Sequence, residues 1–314
     1  MRVVFWGTPD FAVPSLRALL GEGFDVAGVV TQPDRPTGRS RSTVVASPVK
    51  QAAVDEGIPV LQPERPRGDE FMDALRALEP DVSVVVAYGH VLAQEVIDLP
   101  ARGTLNVHAS LLPRLRGAAP IQGAIRDGLD ETGVTIMRMV RALDAGPILH
   151  QQRTPIADDE TFGELQLRLS ELGALALIEA LALIDMGRAP EEPQDDRQAT
   201  YAPKIDRDTT RIDWSRPAVD VARVIRAYDP KPGAHTALGG AEVKLFGAHL
   251  APDAHHHAAG EVVAIDDDAM TVACGEGAVR VSVVQPAGRK RLSPAAWARG
   301  RGVHVGDRFT SGAV

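Results

Sequence analysis

Residues 104–122, TLNVHASLLPRLRGAAPIQ, set an amide and an imidazole two positions apart on a run that otherwise reads as a buried strand. In a strand, residues i and i+2 share a face, so Asn106 and His108 project together while Leu105, Val107 and Ala109 face the other way. Two hydrogen-bonding side chains at the end of such a strand can both reach one bound oxygen. That suits acyl transfer, in which negative charge grows on a carbonyl oxygen as a nucleophile attacks. One such donor is worth roughly 3 kcal/mol of barrier. The plain alternative is that Asn106 and His108 satisfy one another, or nearby backbone, inside a core. A carboxylate favours the chemistry. Asp144, in the loop RALDAGPIL after the strand-like run Gly133–Val140, could keep the imidazole of His108 protonated and relay protons through a water. Asp144 also has a plain reading, shaping the turn before Gly146-Pro147.

The elements that must hold these groups alternate along the first 150 residues. Val3–Trp6 and Asp25–Thr31 read as strands, with a helical pattern over Phe11–Leu20 between them. Ser47–Glu56 reads as a helix, opened by a capping serine and a proline at the first helical position. Another helix is expected over residues 71–79. DVSVVVA (81–87) is apolar without alternation, as in a parallel strand covered on both faces. Leu105–Ala109 is then a strand, Ala118–Asp127 a helix, Gly133–Val140 a strand and Thr161–Met186 a long helix. This order predicts an α/β fold with a doubly wound, mostly parallel sheet, whose ligands sit beyond the carboxyl ends of the strands where strand order reverses. Residues 189–200, APEEPQDDRQAT, have the polar, proline-containing profile of a linker. Beyond it a helix over Val219–Ala227 precedes short β-like runs at Val243–Phe246, Glu261–Ile265, Met270–Ala273 and Ala278–Val284. Such runs predict a small OB-like β-barrel. The expected division is 1–188, a linker at 189–206, and 207–314.

Composition narrows the function classes. The single cysteine, Cys274, excludes an intramolecular disulfide framework and a multi-cysteine metal site. No stretch approaches the roughly 18 apolar residues of a membrane span. Because the opening run MRVVFW breaks at Gly7-Thr8-Pro9-Asp10, it does not read as a secretory signal, and the cytoplasm is the expected compartment. The turn after the first strand, GTPDFA, lacks the glycine spacing of a dinucleotide site, which disfavours a nicotinamide-dependent oxidoreductase. His255-His256-His257 lies in an Ala/Asp-rich loop and reads as a solvated turn, so no metal is expected. Net charge is −8, with 19 basic against 29 acidic residues in 1–203 and 15 against 13 in 204–314. Two clusters are basic without an acid among them: Arg35, Arg39, Arg41 and Lys50, and Arg289, Lys290, Arg291, Arg299 and Arg301. Either could meet a polyanion or be a solvated patch.

The catalytic segments carry a family resemblance. NVHASLLPRLRGAAPIQGAI (106–125) and ETGVTIMRMVRALDAGPIL (131–149) resemble the 10-formyltetrahydrofolate-dependent formyltransferases. Narrower matches, FWGTPDFAVPSL, TQPDRPTGR, ASPVK, IPVLQP, VVVAYG, YAPKI, RIDW, IRAYDPKPGA and VVQPAGRKRL, run in order along nearly the whole chain. They resemble the branch that acts on methionyl-tRNA. That resemblance implies transfer of a formyl group from 10-formyltetrahydrofolate to the α-amino group of methionine on initiator tRNA, with Asn106, His108 and Asp144 in the catalytic positions. On it, Asn106 and a protonated His108 hold the oxyanion. It also implies a folate-contact turn at Ser110, Leu111, Leu112 and Pro113. Further lining would come from Tyr88, Gly89, His90, Val91 and Leu92, and from Val140 and Leu143. The tRNA would be held by Arg35, Arg39, Arg41, Arg289, Lys290 and Arg291, in a monomeric chain. Relatives usually have tryptophan at the position of Leu115 and Phe-Asn-x-Trp where Tyr228, Asp229 and Lys231 stand. Other acceptors (glycinamide ribonucleotide, a sugar nucleotide, or water) and a non-catalytic RNA-binding module remain as alternatives.

Overall fold

The computed structural model describes residues 1–37, 43–251 and 257–311. The chain separates into two compact units: 1–117, 132–154 and 166–201 form the first, and 118–131, 155–165 and 202–314 the second. The sequence places a single boundary in a linker. The structure instead gives most of the linker stretch to the first unit and lends two earlier segments to the second.

The strands run β1 (Arg2–Gly7), β2 (Asp25–Val30), β3 (Arg35–Thr37), β4 (Thr43–Val45), β5 (Val60–Leu61), β6 (Val82–Val86), β7 (Thr104–His108), β8 (Glu131–Arg138) and β9 (Ile148–Pro155). Seven form one sheet in the order β5-β2-β1-β6-β7-β8-β9, while β3 and β4 pair as a separate antiparallel hairpin. The pairs β5–β2, β2–β1, β1–β6 and β6–β7 are parallel, and β7–β8 is antiparallel. Strand order reverses between β1 and β6, which makes the sheet doubly wound and puts the switch point beyond Gly7 and Val86. Val3–Trp6 have no exposed surface and all of β6 is buried, as the unbroken apolar runs require. The helices are α1 (Val13–Gly21), α2 (Pro48–Asp55), α3 (Asp69–Ala77), α4 (Gln94–Ile97), α5 (Pro120–Arg126), α6 (Phe162–Asp185), α7 (Ala218–Ala227) and α8 (Pro294–Arg299). The serine before α2 acts as read: the Ser47 hydroxyl accepts from the Lys50 N–H at 3.0 Å, and Pro48 opens the helix.

In the second unit, β10 (Ala234–Leu238), β11 (Ala241–Ala251), β12 (Val262–Ile265), β13 (Met270–Ala273) and β14 (Ala278–Pro286) form an antiparallel sheet ordered β10-β11-β14-β13-β12. Its two edges are joined by the 306–310 strip. Thr310 exchanges backbone hydrogen bonds with Ala237 of β10, Asp307 accepts from Val262, and Phe309 donates to Gly260. The barrel is thus closed by a segment with no β-like sequence run. Phe309 is buried, stacked at 5.7 Å on Trp214 and 6.4 Å from Trp297. Five strands escape sequence reading: the two- and three-residue β3, β4 and β5, and two longer ones, β9, a polar ILHQQRTP beside β8, and β10, a small-residue AHTAL. Neither alternates cleanly.

Candidate active site

β7 presents Asn106 and His108. In register, Asn106 lies between Val85 of β6 and Met137 of β8, and His108 lies opposite Thr135. Asn106 is half-buried, and among the described residues its amide has no hydrogen-bond partner. His108 is buried, and its Nε2–H donates to the Leu115 carbonyl at 3.0 Å, leaving Nδ1 as the lone-pair nitrogen of the neutral ring. Asp144 Oδ2 lies 3.7 Å from Nδ1, beyond hydrogen-bonding range, and accepts from the Gly117 N–H at 2.8 Å. The structure therefore brings Asp144 to His108.

Burial also bears on the protonation of this ring, which the resemblance takes as charged. Burial pulls the His108 pKa below 6.5, against the opposing pull of the Asp144 charge and the Leu115 carbonyl. Burial prevails, so the ring is neutral near pH 7 and ready to take a proton rather than already charged.

Two left-handed residues frame this pair, Leu115 at φ 58° and Asp144 at φ 48°. Such conformations cost about 1–3 kcal/mol each and persist where the surroundings enforce them. Here residues 192–201 enforce them. Glu192 exchanges backbone hydrogen bonds with Ile148 at 2.8 and 3.0 Å. The Gln194 amide donates to the carbonyls of Asp144 and Gly146, both at 2.8 Å, and its oxygen accepts from Arg116 Nε and Nη2 at 3.1 and 2.8 Å. Arg116, 3% exposed, also pairs with Asp196 at 2.8 Å. Thr200 Oγ1 accepts from Leu115 N–H at 2.9 Å, and the Thr200 carbonyl accepts from Arg116 N–H at 2.9 Å. Sequence reading took this stretch for a linker. The available signal was Arg116, since a guanidinium beside a catalytic strand needs acceptors from somewhere.

The other sequence-named residues divide by where they point. In the turn after β7, Ser110 Oγ donates to the Arg114 carbonyl at 2.6 Å, and Leu112 N–H donates to Thr135 Oγ1 at 3.1 Å. Thr135 Oγ1 also donates to the Ser110 carbonyl and accepts from Gln151. The Leu112–Pro113 peptide is cis. Leu112 is buried, while Leu111 and Pro113 are half-buried. Thr135 and Gln151, which hold this turn, escaped the sequence reading. Tyr88 and Leu92 pack inward in the cluster of Val4, Trp6, Phe71 and Val96. The Tyr88 carbonyl is already taken by Thr8 Oγ1 at 3.0 Å and Gln32 Nε2 at 3.2 Å. Gly89, at φ 92°, holds a conformation that L side chains rarely adopt, and a Cβ there would stand 3.2 Å from Gln32 Nε2. His90 is half-buried, whereas Val91 is 88% exposed, with Val140 at 38% and Leu143 at 60%. These three apolar side chains are at least partly exposed.

Of the basic residues, Arg39 and Arg41 lie outside the described residues, as do His255 and His256. The Arg35 guanidinium is held by Gln32 Oε1, and Lys50 pairs with Asp34 at 2.5 Å, so that cluster is partly neutralised. Arg291 lies 3.7 Å over the Phe246 ring and donates to the Pro230 carbonyl. Arg289 and Lys290 are exposed and have no ion-pair partner among the described residues. Among the described residues no three potential metal ligands cluster, and no helix is long and apolar enough to cross a membrane.

Comparison with known proteins identifies the family. The formyl transferase family profile matches residues 1–181, and that of the formyl transferase C-terminal domain matches 204–302. Methionyl-tRNA formyltransferase of Moorella thermoacetica is 47% identical over 300 residues, covering 96% of each chain. That of Pseudomonas fluorescens is 50% identical over 293 residues, covering 93% of this chain and 92% of the relative. Among solved structures, HypX from Aquifex aeolicus in complex with tetrahydrofolic acid superposes with a TM-score of 0.66 at 22% identity, over 94% of this chain. The chain spans 46% of that longer protein, so this likeness speaks for the fold. The chain belongs to the formyl transferase family and, within it, to the methionyl-tRNA formyltransferases.

Proposed function

We propose that Asn106, His108 and Asp144 carry the reaction of this family in this chain. The reaction moves the formyl group of 10-formyltetrahydrofolate to the α-amino group of methionine on initiator methionyl-tRNA, supplying formylmethionyl-tRNA for translation initiation. The donor supplies an electrophilic formyl carbon; the side chains supply the rest. Asn106, with an unpartnered amide, donates to the formyl oxygen as charge gathers there. His108, neutral and with Nδ1 unprotonated, takes the proton that the attacking amine must lose. Asp144 stabilises the imidazolium so formed, and His108 returns the proton to the departing folate nitrogen. Proton transfer of this kind contributes roughly 10²–10⁴ in rate.

The observation that carries this reading is that an amide with no partner among the described residues shares a strand face with a buried imidazole, and a carboxylate lies 3.7 Å from that ring. The Ser110–Pro113 turn, the Gly89–Leu92 segment and the exposed Val140 and Leu143 suit the flat rings of the folate. We assign catalysis to residues 1–188 and tRNA contact chiefly to 207–314, through Arg289 and Lys290, with Arg35, Arg39, Arg41 and Arg291 contributing. Arg35 and Arg291 would have to exchange present partners to reach phosphate. With a charged tRNA as acceptor, the reaction belongs in the cytoplasm. The test is an assay with formyl donor and methionyl-tRNA: wild type formylates, and His108→Ala loses most of kcat. Formyl release at equal rate without tRNA would instead make water the acceptor.

A further inference from the structure

We infer that Gln194 is a positioning residue for formyl transfer, tying the Asp144 loop to Arg116 and so fixing the Asp144 carboxylate beside His108. The inference rests on the catalytic reading of Asp144 given above. All four hydrogen-bonding sites of the Gln194 amide are used. Its two N–H groups span the carbonyls of Asp144 and Gly146, on either side of Ala145, where the chain turns through the left-handed conformation of Asp144. Its oxygen meets two nitrogens of a buried guanidinium whose own backbone N–H is bound by Thr200. Arg116 adjoins both Leu115, whose carbonyl orients His108, and Gly117, whose N–H binds the Asp144 carboxylate. One side chain therefore joins the segment that orients the imidazole to the segment that carries its carboxylate. A displacement of about 1 Å between reacting groups costs on the order of 10²-fold in rate.

Gln194→Glu separates this role from simple packing. The carboxylate keeps the volume and still accepts from Arg116, but it cannot donate to the carbonyls of Asp144 and Gly146. Measured on the full chain with saturating formyl donor and methionyl-tRNA, Gln194→Glu should lower kcat by about 10–100-fold. The KM for each substrate should stay within about threefold, and the unfolding midpoint should fall modestly with the two lost hydrogen bonds, the protein remaining folded at the assay temperature. Gln194→Ala should lose kcat similarly. Because the effect passes through Asp144, adding Gln194→Glu to Asp144→Asn should cost less than about threefold further. Full kcat in Gln194→Glu overturns the inference, as does a loss that multiplies undiminished onto Asp144→Asn. An Asp144→Asn enzyme with wild-type kcat would instead bring down the catalytic reading, and this inference with it.

Discussion

Asn106 and His108 are neighbours on one face of β7 but stand in opposite hydrogen-bonding states. Among the described residues the Asn106 amide makes no hydrogen bond, so Asn106→Ala should leave the unfolding midpoint nearly unchanged while lowering kcat by roughly 10²–10³-fold. Thermal unfolding and steady-state kinetics on the same preparation check both halves. A stability loss with full kcat would make the amide structural. His108 is tied in and pays in proton affinity. Because burial depresses its folded pKa below 6.5, the unfolded chain binds a proton there that the folded chain resists. The contribution of His108 to stability is thus intact at neutral pH and falls as pH drops through about 6.5, levelling below the folded value. Replacing it by glutamine should flatten that acid-side decline, read by urea unfolding at steps between pH 5 and 7.5. At this scale the sequence was legible for residue types and faces, since a two-residue period follows from strand geometry alone. It was illegible for protonation, which depends on how deep β7 lies. Leu115 shows the same limit. It acts on the site through its carbonyl and N–H, which a side-chain pattern does not reveal.

Elements fix the site by crowding as much as by bonding. Gly133 of β8 faces β9 and the turn after β7 so closely that a Cβ would sit 2.0 Å from the Gln152 carbonyl oxygen and 2.7 Å from Leu111 Cδ2. Gly133→Ala must spread these strands or push the turn aside. It should destabilise the protein by about 1–3 kcal/mol and raise the KM for the formyl donor, by denaturant melts and kinetics. A neutral outcome in both would mean that the Ser110–Pro113 turn is not held from beneath. The longer helices were readable because caps, prolines and a 3.6-residue period are local, whereas the short α4 and α8 were missed, α8 despite its Ser293-Pro294 start. β9 and β10 were not readable, because a polar or small-residue strand owes its place to its neighbours. The 192–201 stretch was misread for the related reason that long-range hydrogen bonds leave no periodicity.

For the molecule as a whole, charge must reconcile an acidic protein with a polyanionic substrate. The net −8 repels tRNA at a distance, so contact depends on local basic groups that no acid neutralises. Arg289 and Lys290 meet that condition, whereas Lys50 is spent on Asp34. Replacing both Arg289 and Lys290 by alanine should raise the KM for methionyl-tRNA several-fold, leave kcat near wild type, and shallow the dependence of log affinity on log salt by about 1–2. Unaltered salt dependence would move the contact elsewhere.

The band from Glu192 to Thr200 also sets an order of events during synthesis. Asp144 waits 50 residues for the amide that binds its carbonyl, and Leu115 waits 85 for the hydroxyl that takes its N–H. A nascent chain that holds Asn106, His108 and Asp144 still lacks the buckle that fastens their segments, because residues 192–200 are translated after them. An enzyme that prepares the first amino acid of other proteins thus becomes competent only after about two-thirds of its own length has been read.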